Sequence, residues 1–215
     1  MGPVRTADAD EAGAGLGLWT GVVLAGGSST RMGRDKAWLS LDGEPMVVRQ
    51  TRLLSKAGAT EVLISGRSDV DYSRCGARVV LDANPGQGPL GGIAAALIAA
   101  RHPLVFILAV DLPRVDAEMT ALILGRASAV RGAVPWVHGA AEPLVAAYPR
   151  SLAASARSWL ETGRRSVRGW VEALLNEGVV QRVDVPERLY AGFANWNTPE
   201  DCEAQPPLGE RGASP

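Results

Sequence analysis

The chain has 215 residues and a formal net charge of −1, and 47% of its residues are hydrophobic. This length suits one domain with a sizeable core, and the balanced charge argues against a general attraction to nucleic acid or to a membrane surface. Cys75 and Cys202 lie far apart in the sequence, which excludes a disulfide framework or a cysteine metal cluster and fits a reducing cytoplasm.

The first half of the chain alternates apolar runs with helical patterns. Strands are predicted over residues 20–25, 62–65, 78–82 and 104–110. Helices are predicted over residues 46–58, 90–100 and 116–127, the last of them capped by Asp116. The pair Asp42-Gly43 predicts a tight turn that closes a short hairpin. This alternation predicts a Rossmann-like α/β fold, a three-layer α/β/α arrangement with a mostly parallel sheet.

The second half is less regular. A β-hairpin is predicted around Gly139, with strands over residues 134–138 and 143–147. Further elements are predicted as a helix over 151–160 with Ser151 as its cap, a helix over 167–175, a strand over 179–185 and a short helix capped by Thr198. We expect a single domain over residues 18–204, with disordered segments at 1–17 and 205–215.

Groups that suit a ligand follow three of the predicted strands. A glycine-rich loop with Arg31 and Lys36 begins at Gly26, after the first strand, and suits a phosphate because glycine lets the backbone approach closely. Asp82 closes the third strand, before a Gly/Pro-rich loop, and Asp111 closes the fourth. Because ligands bind beyond the carboxyl ends of parallel strands, we expect these groups to meet at one edge of the sheet.

The loop after the first strand is not a Walker A loop, because Gly33 is followed by Arg34, Asp35 and Lys36. It resembles the signature of nucleotidyltransferases, and more narrowly that of molybdenum cofactor guanylyltransferases, L-A-G-G-x-S-x-R-M-G-x-D-K. Every fixed position matches, at Leu24, Ala25, Gly26, Gly27, Ser29, Arg31, Met32, Gly33, Asp35 and Lys36. Three further family motifs match: D-x-x-x-G-x-G-P-L-[AG]-G from Asp82 to Gly92, D-x-P at Asp111 and Pro113, and N-x-N-T-P from Asn195 to Pro199. Arg114 departs from the family, which often has an apolar or aromatic residue there.

The resemblance covers about residues 20–204 and implies a fold like that of the nucleotide-diphospho-sugar transferases. It implies Mg²⁺-dependent transfer of GMP from GTP to the phosphate of molybdenum-molybdopterin, with release of pyrophosphate. It also implies a cytoplasmic protein with no nucleic-acid or membrane partner, in transient contact with molybdopterin-handling proteins. The implied catalytic residues are Arg31, Lys36 and Asp111, with Asp111 as the metal ligand. The implied nucleotide-binding residues are Leu24, Ala25, Gly26, Gly27, Lys36, Ser65, Asp82, Gly88 and Asp111.

Several alternatives stay open at this point. A cytidylyltransferase for the same pterin or a sugar-phosphate enzyme would share these motifs, although Gly26-Gly27 after a single alanine favours guanine over the L-A-A-G of the cytidylyltransferases. A non-catalytic pterin- or nucleotide-binding module is a further alternative. The spacing Gly86-x-Gly88-x-x-Gly91 also matches a dinucleotide-binding fingerprint.

Individual residues have structural alternatives as well. Asp82 and Asp111 could instead order turns, and the loop cations could be solvated surface charges. Arg164 and Arg165 could bind the acceptor phosphate or form a solvated pair, and Asn195 could help to hold the metal or the acceptor or only order its loop.

Overall fold

The computed structural model describes residues 17–26, 36–81 and 86–196. The expectations for the chain termini, for Asp82 and for the helix capped by Thr198 lie outside these ranges. The strands are β1 (Trp19–Leu24), β2 (Ser40–Leu41), β3 (Glu44–Pro45), β4 (Glu61–Gly66), β5 (Arg78–Leu81), β6 (Leu104–Ala109), β7 (Gly132–Val137), β8 (Ala140–Ala141), β9 (Val145–Pro149) and β10 (Val180–Asp184). The α-helices are α1 (Met46–Lys56), α2 (Pro89–Ala99), α3 (Ala117–Leu124), α4 (Ala153–Glu161) and α5 (Val167–Asn176).

One mixed sheet forms the centre of the described structure. Its strand order is β10-β7-β9-β6-β1-β4-β5, and β8 pairs with β7. Strand β9 runs antiparallel to both of its neighbours and β8 runs antiparallel to β7, whereas the other pairs in this sheet are parallel. The apolar run that was predicted as a strand over residues 104–110 is β6, and all six of its residues are buried. The mostly parallel sheet is therefore confirmed.

Helices cover both faces of this sheet. Apolar residues of α1 and α3, such as Leu54 and Met119, pack into one core cluster. Apolar residues of α2, α4 and α5, such as Ile93, Ala156 and Trp170, pack into a second cluster on the other face. Strands buried on both faces carry continuous apolar runs, as β6 does. The arrangement is the predicted three-layer α/β/α fold.

The two predicted turns are present, but the second hairpin differs from the expectation. Asp42 and Gly43 have φ of 52° and 79°, and His138 and Gly139 have φ of 49° and 80°, so each pair suits a tight two-residue turn. After His138-Gly139 the chain forms only the short β8 against β7 before it bulges. It then continues as β9, which inserts between β7 and β6. The predicted hairpin around Gly139 is therefore present, since β7 pairs antiparallel with β8 and with β9, but a bulge divides its second strand.

Of the two predicted side-chain caps within the described ranges, one is present and one is absent. Asp116 accepts a hydrogen bond from Met119 N at 2.9 Å, as predicted for a cap. Ser166 caps α5 in the same way, although it was not predicted as a cap. The prediction of Ser151 as the cap of α4 was wrong, because residues 150–152 form a 3-10 turn and α4 begins one residue later, without a side-chain cap. The 3-10 helix Glu187–Phe193 was not predicted either.

The amino edge of the sheet is closed by hydrogen bonds to Glu61, the first residue of β4. Its carboxylate accepts from Thr20 Oγ1 at 2.9 Å, Arg101 N at 2.8 Å and Arg78 Nη2 at 2.9 Å. Burial alone would raise the pKa of Glu61, but the hydrogen bonds from Arg101, Arg78 and Thr20 together lower it below its ordinary value. A polar groove of about 360 Å³ lies beside this cluster.

The groove's charged groups are already paired with one another. The groove lies at the edge where β4 and β5 begin, opposite to Asp111, which follows the carboxyl end of β6. We therefore interpret the cluster as a clamp that joins β1, β4, β5 and the start of β6. Within the described ranges, the helices are all too short to span a lipid bilayer as apolar segments.

Candidate functional site

The carboxyl end of β1 lies in the middle of the edge where ligands were expected. Leu24 is registered against Ser65 of β4 on one side and against Ala109 of β6 on the other. Backbone pairing continues beyond the strand, since Ala25 N donates to Ser65 O at 2.8 Å and Val110 N donates to Leu24 O at 3.1 Å. The three strand ends are therefore held rigidly side by side.

Gly26 and Asp111 occupy matching positions on adjacent strands. Leu24 and Ala109 form the last registered pair of β1 and β6, and Gly26 and Asp111 each lie two residues further along the chain. Because neighbouring strands are about 5 Å apart, the chain leaves β1 and β6 side by side at this edge. Strand β5 ends at Leu81 on the same edge, beyond β4. Three of the predicted site residues lie outside the described residues: Gly27, Arg31 and Asp82.

The first turn of α2 packs directly on the ends of β1 and β4. A β-carbon built on Gly92 would lie 2.7 Å from Ser65 Oγ and 3.4 Å from Leu24 Cδ2. Gly88 forms the N-cap with a φ of 70°, which favours glycine, and Pro89 follows at the first helical position. A helix amino end carries unpaired N–H groups and partial positive charge, so this end of α2 can hold an anionic ligand above Leu24 and Ser65.

Aromatic packing anchors the far end of the loop that follows β1. The described chain resumes at Lys36 with a short 3-10 helix, Lys36–Trp38, in which Ala37 is buried. The Trp38 ring stacks on Tyr72, with centroids 6.5 Å apart. Tyr72 in turn packs against Gly66, where a β-carbon would lie 2.5 Å from Tyr72 Cε2. Because Gly66 ends β4, Trp38 and Tyr72 lie beside the end of the strand next to β1.

The main chain around Asp111 is held from two sides. Gln50 Nε2 and Arg49 Nε of α1 donate to the carbonyl oxygens of the two residues after Asp111, at 2.6 and 3.2 Å. On the other side Trp196 N donates to Asp111 O at 2.9 Å. Gln50 and Trp196 are almost fully buried, whereas Asp111 is half-buried and the neighbouring Asn195 is exposed. The segment that carries Asn195 is thus joined to the predicted metal ligand through the backbone.

A metal ion at this edge would need ligands from the substrate as well as from the protein. Among the described residues, no group of three or more His, Cys, Asp or Glu side chains could hold an ion. Mg²⁺ commonly takes one or two protein carboxylates and fills its remaining positions with substrate phosphates and water. The half-buried Asp111, next to the strand whose end lies beneath the amino end of α2, fits that type of site.

The connection between α4 and α5 reaches the glycine-rich segment before α2. Arg165 Nη1 donates to Gly86 O at 3.3 Å, and the Arg164 guanidinium lies over the Trp159 ring, 4.6 Å from its centroid. Both arginine residues are exposed. The bond to Gly86 places Arg165 beside the candidate anion site at the start of α2, whereas Arg164 contacts α4.

The bulge between β8 and β9 lies next to the end of β6. Before the bulge, Glu142 N donates to Pro135 O of β7 at 2.9 Å. After it, Leu144 O accepts from Ala109 N of β6 at 2.8 Å. The chain therefore crosses from β7 to β6 within three residues, a geometry that bends a strand and redirects its side chains.

Glu142 is a half-buried acid at this bulge. Its side chain is 29% exposed, and its Oε1 lies 3.5 Å from Nη2 of Arg168 on α5. Burial raises the pKa of Glu142 above its ordinary value, and the positive charge of Arg168 offsets only part of that rise. A carboxylate in this position is stabilised by any further hydrogen-bond donor that reaches it.

Gln50, Glu142 and Arg168 were not among the residues predicted from the sequence. Weak signals were available for two of them. Gln50 lies at helical spacing on the buried face of α1, where an apolar residue would be expected. Glu142 interrupts a run of small and apolar residues after the Gly139 turn.

Residues 21–178 match the family model of the MobA-like NTP transferase domain. The chain is 41% identical over 188 residues to a probable molybdenum cofactor guanylyltransferase of Opitutus terrae, with 86% of this chain and 93% of the relative covered. It is 37% identical over 188 residues to a molybdenum cofactor guanylyltransferase of Xanthomonas euvesicatoria pv. vesicatoria, covering 85% and 91%.

Solved structures agree with this relationship. Molybdopterin-guanine dinucleotide biosynthesis protein A from Archaeoglobus fulgidus superposes with a TM-score of 0.67 at 26% identity, covering 86% of this chain and 95% of that one. A nucleotidyl transferase from Methanothermobacter thermautotroptrophicus shares the fold, with a TM-score of 0.68 at 18% identity and coverage of 87% and 95%. The chain therefore belongs to the family of the MobA-like NTP transferase domain and is a nucleotidyltransferase.

Proposed function

We propose that this protein transfers GMP from GTP to the terminal phosphate of molybdenum-molybdopterin, giving the guanine dinucleotide cofactor and pyrophosphate. The relatives named molybdenum cofactor guanylyltransferase support this substrate choice. The observation that carries the proposal is the placement of Gly26 and Asp111 side by side, at the ends of the adjacent strands β1 and β6. A nucleotide bound at the end of β1 would lie within reach of the Asp111 carboxylate, just beyond the end of β6.

In the proposed reaction, an oxygen of the acceptor phosphate attacks the α-phosphorus of GTP. The new P–O bond forms as the bond to the oxygen between the α- and β-phosphorus breaks, and pyrophosphate leaves with that electron pair. Such a transfer requires mainly orientation and charge stabilisation from the protein. The proposed contacts with guanine and ribose are Leu24, Ala25, Gly26, Ser65, Gly88 and Asp82. The proposed contacts with the triphosphate are Gly27, Arg31 and Lys36.

We assign Asp111 as the Mg²⁺ ligand, with the triphosphate oxygens completing the ion's shell. When bound, Mg²⁺ would neutralise phosphate charge, including that of the leaving pyrophosphate. The main-chain bonds of Gln50, Arg49 and Trp196 support the assignment, because a ligand that is fixed before binding loses little entropy when it binds.

Two further assignments concern the acceptor. Arg165 lies beside the start of α2, within reach of the acceptor phosphate, and Arg164 precedes it in the chain. Asn195 is exposed next to the segment bonded to Asp111. The proposal also places the protein in the cytoplasm, in transient contact with molybdopterin-handling proteins, and treats residues 18–204 as one domain.

The dinucleotide-binding alternative loses its support in the structure. The segment Gly86-x-Gly88-x-x-Gly91 follows β5, which is an edge strand, whereas β1 with its own glycine-rich loop lies in the interior of the sheet. Family membership likewise indicates nucleotidyl transfer.

The test is a transfer assay with nucleotides labelled at the α-phosphate and molybdenum-molybdopterin as acceptor. GTP should give labelled dinucleotide and pyrophosphate, and CTP should give far less. A preference for CTP would replace the guanylyl assignment by a cytidylyl one, and binding without turnover would indicate the non-catalytic module.

Asp111→Asn should lower turnover by about 100-fold or more, a loss typical of removing one group that stabilises developing charge. Calorimetry provides a readout that is independent of turnover, since Mg²⁺ should raise the GTP affinity of the wild type but not of this variant. The matched control is Asp184→Asn on the edge strand β10, which removes an exposed carboxylate far from β1 and should behave as the wild type. Equal Mg²⁺ dependence in Asp111→Asn would remove Asp111 from the metal site.

A further inference from the structure

The carboxyl edge of the sheet is divided by Asp111 into two sides. On one side lie the ends of β1 and β4, covered by the first turn of α2, where the nucleotide is placed by the proposed function. On the other side lies the bulge at residues 142–144, which is bonded to the end of β6. The bulge is two strand spacings from β1, or about 10 Å along the edge. A ligand that continues beyond the reacting phosphates would extend onto it.

The Glu142 carboxylate can accept further hydrogen bonds at this bulge. A carboxylate has about four lone-pair sites, and the ion pair of Glu142 with Arg168 at 3.5 Å is longer than a hydrogen bond. No other side chain among the described residues forms an ion pair with it. Glu142 and Arg168 lie on the face of the sheet that α2 and α5 cover, so the acid is on the same face as the start of α2.

The acceptor in the proposed reaction carries a group that matches such an acid. A pterin ring has a ring N–H beside its 2-amino group, and these two parallel donors fit the two oxygens of one carboxylate. We propose that Glu142 binds this edge of the acceptor's pterin ring, with Arg168 orienting the carboxylate. This assignment rests on the proposed function. The pterin ring of the acceptor would thus bind at the bulge, on the β9 side of Asp111.

The pair can be tested with two ring compounds that differ only at the recognised edge. The probes are 6-hydroxymethylpterin and 6-hydroxymethyllumazine, in which a carbonyl oxygen replaces the 2-amino group. Their inhibition constants are measured against molybdenum-molybdopterin. The wild type should bind the pterin about 10- to 100-fold more tightly than the lumazine, as expected for hydrogen bonds to a charged group.

Glu142→Gln should reduce this discrimination to a few-fold, because an amide offers one acceptor where the carboxylate offers two. Its GTP affinity in calorimetry should equal that of the wild type, since the bulge is on the far side of Asp111. The matched control is Glu172→Gln on the exposed face of α5, which should keep full discrimination. Thermal unfolding of each variant checks that the fold is retained.

The possible failures can be told apart. If the wild type transfers GMP to molybdopterin but Glu142→Gln retains the discrimination between pterin and lumazine, the Glu142 assignment is overturned and the proposed function stands. If the wild type transfers no nucleotide to molybdopterin, the proposed function itself has failed. If Glu142→Gln weakens the binding of pterin and lumazine equally, Glu142 acts only by holding Arg168 and does not recognise the 2-amino group of the ring, and the assignment is overturned.

Discussion

Replacing Gly92 with alanine should move the first turn of α2 away from the ends of β1 and β4. The added β-carbon would lie 2.7 Å from Ser65 Oγ, a separation that side-chain carbons do not tolerate, so either the helix or Ser65 must shift. Overpacking of this kind costs about 1–3 kcal/mol. Alanine in place of glycine within a helix returns up to about 1 kcal/mol. The net expectation is a loss of about 0–3 kcal/mol in the free energy of unfolding.

Removing the Ser65 hydroxyl should reverse the sign of this effect. In Ser65→Ala the nearest remaining atoms to the new β-carbon are Leu24 Cδ2 at 3.4 Å and Ser65 Cβ at 3.7 Å, which are ordinary contacts. Gly92→Ala should then stabilise the protein by up to about 1 kcal/mol. The coupling between the two substitutions is therefore about 1–3 kcal/mol.

Urea unfolding of the four proteins in the cycle measures this coupling directly. Gly169→Ala on α5 is a matched control, because its nearest new contact is Trp159 Cζ2 at 3.4 Å and it should be neutral or stabilising. At this chain length about 1 kcal/mol corresponds to roughly 2–4 °C in Tm, so thermal unfolding resolves the same effect. Equal effects of Gly92→Ala with and without the Ser65 hydroxyl would show that α2 does not rest on Ser65.

Two further predictions concern stability. Glu61→Gln should cost about 1–3 kcal/mol, since its side chain is only 8% exposed and accepts charge-assisted hydrogen bonds. Because the folded pKa of Glu61 is lowered, its contribution is fully present above its ordinary value of 4.5 and is lost as the pH falls through the folded value. Urea unfolding across that range should show a steeper acid loss in the wild type than in Glu61→Gln, and parallel curves would contradict the role of this acid. Gly66→Ala should cost about 1–3 kcal/mol because the buried Tyr72 ring occupies the position of its β-carbon, and Tyr72→Leu should relieve most of that cost; an unchanged urea midpoint would refute the contact.

Much of the fold could be predicted because its signals are local. The apolar run of β6 and the alternation of strands with helices identified a mostly parallel sheet, and Asp116 identified the start of α3. The pairing of β9 with β6 could not be predicted, because it depends on long-range pairing that no local pattern encodes. The Ser151 cap failed for a different reason, since a 3-10 turn moved the start of α4 beyond it.

The candidate site could likewise be predicted only where its signals are local. Gly26 and Asp111 could be placed at one edge from the sequence, because parallel strands align their carboxyl ends. The contact between Gln50 and the segment after Asp111 joins residues 62 positions apart, and no local sequence pattern predicts it. Glu142 gains its position from a bulge whose geometry exists only once β9 has paired with β6.

One nucleotide and its metal should bind together across the carboxyl ends of β1 and β6. The most direct measurement is a crystal structure with a non-hydrolysable GTP analogue and Mn²⁺ in place of Mg²⁺. We expect an anomalous peak within coordination distance of the Asp111 carboxylate and guanine beside Leu24, under the first turn of α2. A metal bound away from Asp111, or a nucleotide in the groove beside Glu61 at the opposite edge, would contradict the account.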